Sequence, residues 1–210
     1  MEKNYVSTRN DQIQATAKQA VLKGIAPDGG LFVRPDLDQV QLDLDRIIDQ
    51  DYMENAVYIL SGLLGDYTEE ELKECVKNAY ENSFAAEEIT PLKKVGDVYV
   101  LELFHGPTSA FKDVALTLLP QLMSTALKAT DQKALIMTAT SGDTGKAAMS
   151  GFQDVDRIGI EVFYPHNKVS QMQYRQMATL EGNNVKLFAV EGNFDDAQTG
   201  VKMLFNDKEL

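Results

Sequence analysis

The chain has 210 residues, 44% of them hydrophobic and 25% charged. That is ordinary for a water-soluble globular protein, with length for one large domain or two small ones. Twenty Lys and Arg against 32 Asp and Glu leave a formal charge of −12 at pH 7, which argues against nucleic-acid backbones and anionic membranes as partners.

One cysteine, Cys75, rules out an internal disulfide and a thiolate metal cluster. Two histidines, His105 and His166, cannot alone make a zinc site, so no metal is expected. No apolar run reaches membrane-spanning length, and Met1-Glu-Lys-Asn-Tyr5 has no apolar signal segment. A cytoplasmic location is the expectation.

Tyr5-Val-Ser-Thr-Arg9 reads as a short strand. Gln12 to Lys23 has helical spacing, with Gly24 as its stop. Ala26-Pro-Asp-Gly-Gly30 is a turn, and Leu31 to Val33 a brief strand. Asp45 to Leu64 is helical, in one or two pieces. Thr68 with Glu71 forms a capping-box pattern, opening a helix to about Phe84 that carries Cys75 on its buried side.

Near Glu87 the texture changes, and strand-like and helical runs alternate. Strands are expected at Val98–Leu103, Ala134–Thr138, Gly159–Tyr164 and Val185–Val190. Helices are expected at Lys112–Ala129, kinked by Pro120, and at Thr144–Phe152, Val169–Glu181 and Asp195–Phe205. Apolar strands spaced by helices indicate a parallel sheet covered on both faces. The fold class is therefore α/β, with a mainly helical N-terminal domain over residues 1–86 and a parallel-sheet domain over 87–210.

Three stretches carry chemistry. His105-Gly-Pro-Thr-Ser-Ala-Phe-Lys-Asp113 lies between an apolar run and a helix, a strand-to-helix corner. Ser109 is placed to cap that helix and Asp113 to sit in its first turn. Lys112 then lies at the helix start, where the dipole opposes its positive charge, and an amine that sheds its proton is a Schiff-base nucleophile. The residues alone leave open a plain surface lysine paired with Asp113.

Thr138-Ala-Thr-Ser-Gly-Asp-Thr-Gly145 follows a strand and opens a helix, so its free N–H groups and hydroxyls suit a carboxylate or phosphate. It is no P-loop, which needs Gly at the place of Thr140 and Ser or Thr at the place of Ala147. It can equally be a turn capped by Ser141 or Thr144. Tyr164-Pro-His-Asn-Lys-Val169 puts His166 at the same sheet edge. Val190-Glu-Gly-Asn-Phe-Asp-Asp196 reads as a helix cap. Four loops, after Leu103, Thr138, Tyr164 and Val190, are thus expected at one edge of the sheet, where open α/β sheets bind ligands.

These segments resemble threonine synthase, in that family's order and along nearly the whole chain. They are Tyr5–Arg9, Ala26–Phe32, Phe104–Thr108 with Ala110-Phe-Lys-Asp113, Ala139–Gly145, Tyr164-Pro-His166 with Val169-Ser170, and Val190–Asp196. The resemblance implies a pyridoxal 5′-phosphate enzyme of fold type II, the fold of the tryptophan synthase β chain, incomplete at the C-terminus. It implies conversion of O-phospho-L-homoserine and water to L-threonine and phosphate.

Lys112 would be the Schiff-base lysine, with Phe111 and Asp143 also at the cofactor. Ser141, Gly142, Thr144, Gly145, Thr108 and His166 would contact the substrate. Asp143 stands where related enzymes often have Asn. The family's later part, with its grip on the cofactor phosphate, is not identifiable, so this stretch resembles an N-terminal portion and activity is expected of the complete chain. The competing expectations are another lyase of the same cofactor class, such as a phospholyase or dehydratase, and a non-catalytic binding module.

Overall fold

The computed structural model describes residues 5–207, which divide into two compact units. The first holds residues up to Glu81 together with Gln121–Asp131; the second holds Asn82–Pro120 and the stretch from Gln132 onward.

In the first unit, β1 (Tyr5–Ser7) pairs antiparallel with β2 (Gln14–Ala15) on one side and β3 (Phe32–Val33) on the other. β2 takes the first residues of the stretch expected to be helical. Helix α1 (Ala17–Lys23) starts only after Thr16, whose hydroxyl accepts from Gln19 N–H while Gln19 caps Thr16 in return. The Asp28 carboxylate ties the Ala26–Gly30 turn to β1 by accepting from the Ser7 hydroxyl and the Gly30 N–H.

The Asp45–Leu64 stretch forms two helices, α2 (Leu44–Asp49) and α3 (Tyr52–Leu63), divided where Asp51 caps the second. Helix α4 (Glu69–Tyr80) carries the Thr68–Glu71 capping box and ends at Tyr80, short of Phe84. Its apolar face, Leu72, Cys75, Val76 and Ala79, is buried. The segment Gln121–Leu127 is tied to the same region. The Tyr67 hydroxyl donates to Leu122 O at 3.0 Å, and Cys75 Sγ lies 3.3 Å from Thr125 Oγ1.

In the second unit, β4 (Leu92–Val95) and β5 (Val98–Leu101) form an antiparallel hairpin of their own, closed by Gly96-Asp97 with Gly96 at φ +61°. This corrects the expectation for Val98–Leu103, which is not a strand of the parallel sheet. A two-residue turn with glycine at positive φ returns the chain onto its neighbour, so no crossover helix intervenes.

The expected Lys112–Ala129 helix is also two: α5 (Asp113–Leu116) and α6 (Leu118–Leu127). Pro120 has no N–H to give the Leu116 carbonyl, so the helix breaks at Thr117 rather than bending at the proline.

The sheet is β6 (Ala134–Ala139), β7 (Ile158–Pro165) and β8 (Val185–Val190), all parallel, in that order. Helices α7 (Asp143–Phe152), α8 (Gln171–Ala178) and α9 (Phe194–Asn206) alternate with its strands. Central strand β7 buries Ile158, Ile160, Val162 and Tyr164 and leaves Gly159, Glu161 and Phe163 half-buried. Met149, Phe152 and Met177 from α7 and α8 complete the core. The turns after β6, β7 and β8 therefore share one edge of the sheet.

Candidate functional site

The Lys112 segment is shaped by the residue after it. Asp113 is 2% exposed and turns back on its own loop. Its Oδ1 accepts from the Thr108 hydroxyl at 2.6 Å and its Oδ2 from the Thr108 N–H at 2.8 Å. Gly106 packs so closely on this carboxylate that an added Cβ would stand 2.4 Å from Asp113 Cβ.

Ser109 is not the cap expected of it: it holds φ +57°, and Lys112 itself occupies the N-cap position of α5, without a side-chain cap. With both Asp113 oxygens accepting from Thr108, the surface pairing of Lys112 with Asp113 does not form. Lys112 is half-buried, its Nζ 4.5 Å from the centre of the exposed Phe111 ring. Among the described residues it makes no ion pair.

The turn that opens α7 is held from within. The Thr140 hydroxyl, 1% exposed, accepts from both Gly142 N–H and Gly145 N–H at 2.9 Å. Neither Ser141 nor Thr144 caps the helix; Gly142 is the N-cap, at φ +145°. The N–H groups of Asp143 and Thr144 belong to the first turn, which a helix cannot satisfy internally. They face out of the helix N-terminus, the positive end of its dipole, beside the exposed Ser141 and half-buried Thr144.

Asp143 is fixed by Gln173, whose Nε2 donates to Asp143 Oδ1 at 3.0 Å and whose Oε1 accepts from Ser170 N–H to cap α8. The Gln173 amide lies against Gly142, where an added Cβ would stand 2.4 Å from it.

After β7, the His166 N–H donates to Val190 O at 2.9 Å and its Nδ1 to Glu191 Oε1 at 2.7 Å, joining the turns after β7 and β8. A cavity of about 410 Å³ opens there, lined by Tyr164, His166, Asn167, Val169, Gln171 and Tyr174. Burial, and then the neighbouring Tyr174, push the Tyr164 hydroxyl above its ordinary pKa. Lys112 and Ser141–Gly145 do not line this cavity. The α9 turn is self-capped: Asn193 accepts from Asp195 and Asp196 N–H, and Asp196 accepts from Asn193 N–H.

The Lys112 segment and the α7 turn are brought together by Lys146 Nζ, which donates to Thr108 O at 2.8 Å. His166 lies in the turn after β7, at the same sheet edge as the α7 turn, and lines the cavity with Gln171 and Tyr174 of α8. Sequence reasoning missed Thr140, Gln173 and Lys146, all of which act through the backbone or through another side chain. The one available signal was the capping-box spacing of Ser170 and Gln173. An unpaired amine beside a helix N-terminus can hold an aldehyde on one side and a carboxylate on the other.

Among the described residues, no group of three or more His, Cys, Asp or Glu is placed to hold a metal ion, and no helix is long and apolar enough to cross a membrane.

Residues 4–80 match the family described as the threonine synthase N terminus. A threonine synthase from Pseudomonas aeruginosa is 40% identical over 207 residues, 97% of this chain and 44% of the relative. Among solved structures, PLP-bound threonine synthase from Brucella melitensis superposes with a TM-score of 0.87 at 38% identity, over 98% of this chain and 45% of the other. Threonine synthase from Escherichia coli gives 0.86 at 34%, over 99% and 47%. The chain spans a little under half the length of each of these three relatives. Over almost its whole length, in sequence and in backbone, the chain is similar to an N-terminal portion of these threonine synthases and shares their α/β fold.

Proposed function

We propose that this chain is the part of a threonine synthase that carries the reactive lysine, and that the natural-length protein converts O-phospho-L-homoserine and water to L-threonine and phosphate. The observation that carries this is the Lys112 amine, free of an ion pair among the described residues and tied through Thr108 and Lys146 to an anion-suited helix start. Relatedness to threonine synthases along almost the whole chain supports it.

The donor set fits pyridoxal phosphate at its aldehyde end: a half-buried amine for the aldehyde, an aromatic ring at Phe111, and Asp143 held still by Gln173. When bound, that cofactor supplies the aldehyde and a ring that withdraws electrons from carbons next to the substrate nitrogen. Lys112 presents the primary amine and, when free, takes and returns protons at the substrate carbons. Ser141 and Thr144 hold the substrate carboxylate through their hydroxyls and the Asp143 and Thr144 N–H groups, while Gly142 and Gly145, whose N–H groups are committed to Thr140, shape the turn that receives it. Thr108, its N–H and hydroxyl engaged by Asp113 and its carbonyl by Lys146, shapes the wall beside the substrate, and His166 closes the same edge with Glu191.

We read residues 1–86 as the N-terminal domain and 87–210 as the first part of the cofactor domain, in a cytoplasmic enzyme acting on a small molecule. The test is borohydride reduction of the natural-length protein with pyridoxal phosphate, followed by peptide mapping and product analysis. A reduced adduct on Lys112, with threonine and phosphate as products, is the expected result. An adduct elsewhere, or none, refutes the assignment. A keto acid with ammonia instead of threonine would make the protein a different lyase of the same cofactor class.

A further inference from the structure

The Lys112 segment is held at two points, each four residues from the lysine. At residue 108 the Lys146 ammonium donates to the Thr108 carbonyl at 2.8 Å. At residue 116 the backbone of Gly151 lies so close that an added Cβ would stand 2.0 Å from Leu116 O. Both holding residues sit on α7, one in its first turn and one in its last. Helix α7 also presents the anion-suited turn at its N-terminus, so it acts as the gauge that sets one group against the other.

The Gly151 contact is between backbones and is fixed by the crossing of α5 and α7. The Thr108 contact depends on one side chain. Among the described residues Lys146 makes no ion pair; its ammonium is committed to a neutral carbonyl. A flexible lysine stem is held half-buried in one geometry only by a contact stronger than the rotamer freedom it gives up, and a charge-assisted hydrogen bond is of that strength. Thr108 is in turn clamped to Asp113, the neighbour of Lys112. A pull on Thr108 O is therefore transmitted to the lysine backbone through a short, rigid path.

We infer that Lys146 is a positioning residue, which fixes the Lys112 amine relative to the turn that opens α7 by holding the Thr108 carbonyl. This rests on the assignment of Lys112 as the reactive amine. The natural-length protein is compared with K146M, which keeps the apolar stem and loses the donor, and K146R, which restores a donor.

Two quantities are read: amide hydrogen exchange over residues 105–116, and the concentration of pyridoxal phosphate giving half-maximal reducible adduct on Lys112. In K146M, exchange around Thr108–Asp113 is expected to quicken and the half-maximal concentration to rise on the order of 10-fold. In K146R both return toward wild type. Unchanged exchange in K146M overturns the tie. Faster exchange with unchanged adduct formation overturns the positioning role. So does a failure of K146R to rescue. If the wild-type protein forms no adduct on Lys112, the proposed function falls and the positioning role falls with it, while the exchange data still decide whether the tie exists.

Discussion

Asp113 shows how one buried carboxylate sets the conformation of a reactive neighbour. Both its oxygens accept from Thr108, and it is almost wholly out of water. Asp113→Ala leaves the Thr108 N–H and hydroxyl without acceptors, and should cost about 3 kcal/mol. A urea midpoint at unchanged slope would measure it, and a loss below about 1 kcal/mol would contradict the clamp. Gly106→Ala pushes a methyl into the same carboxylate, an overpacking worth about 1–3 kcal/mol by the same measurement. Sequence placed Lys112 at a helix start but assigned the cap to Ser109. The difference lies in direction: Asp113 can reach either forward to a helix or back to its own loop, and spacing alone does not say which.

Elements were legible where one local signal decided them. The capping box at Thr68–Glu71 is self-contained over four residues, and β8 is bounded by turn residues at both ends. Val98–Leu101 was misjudged because its apolar run looks the same in a hairpin as in a parallel sheet; only the partner, Leu92–Val95, tells them apart. The turn before α7 was legible in place but not in its wiring. Its organiser is Thr140, whose hydroxyl serves two N–H groups from a buried position. Thr140→Val keeps the shape and strands both donors, so about 2 kcal/mol should be lost in the denaturant midpoint, with Thr140→Ser retaining most of it. Equal stability of both variants would remove Thr140 from that role.

At the scale of the whole molecule, acid should weaken folding in part through Asp28. The Gly30 N–H first, and then the Ser7 hydroxyl, hold its carboxyl below the usual range. A carboxyl lowered on folding contributes stability above its unfolded value and loses it as pH falls through its folded value. Asp28→Asn lacks that contribution, so its stability should decline less on acidification; parallel curves of unfolding midpoint against pH would contradict this.

Burial pushes the Cys75 thiol up, and the group should resist a thiol reagent in the native state and react on unfolding. Its buried setting was legible from helical spacing, whereas its partner Thr125, fifty residues away, was not.

The chain leaves the second unit at Pro120 and re-enters it at Gln132, having lent the intervening stretch to the first. No single cleavage can therefore excise either unit intact. A fragment ending at residue 81 would strip Tyr67 of its acceptor at Leu122 and Cys75 of Thr125. Expressed alone, it should be poorly soluble, and should recover when Gln121–Asp131 is supplied on a linker.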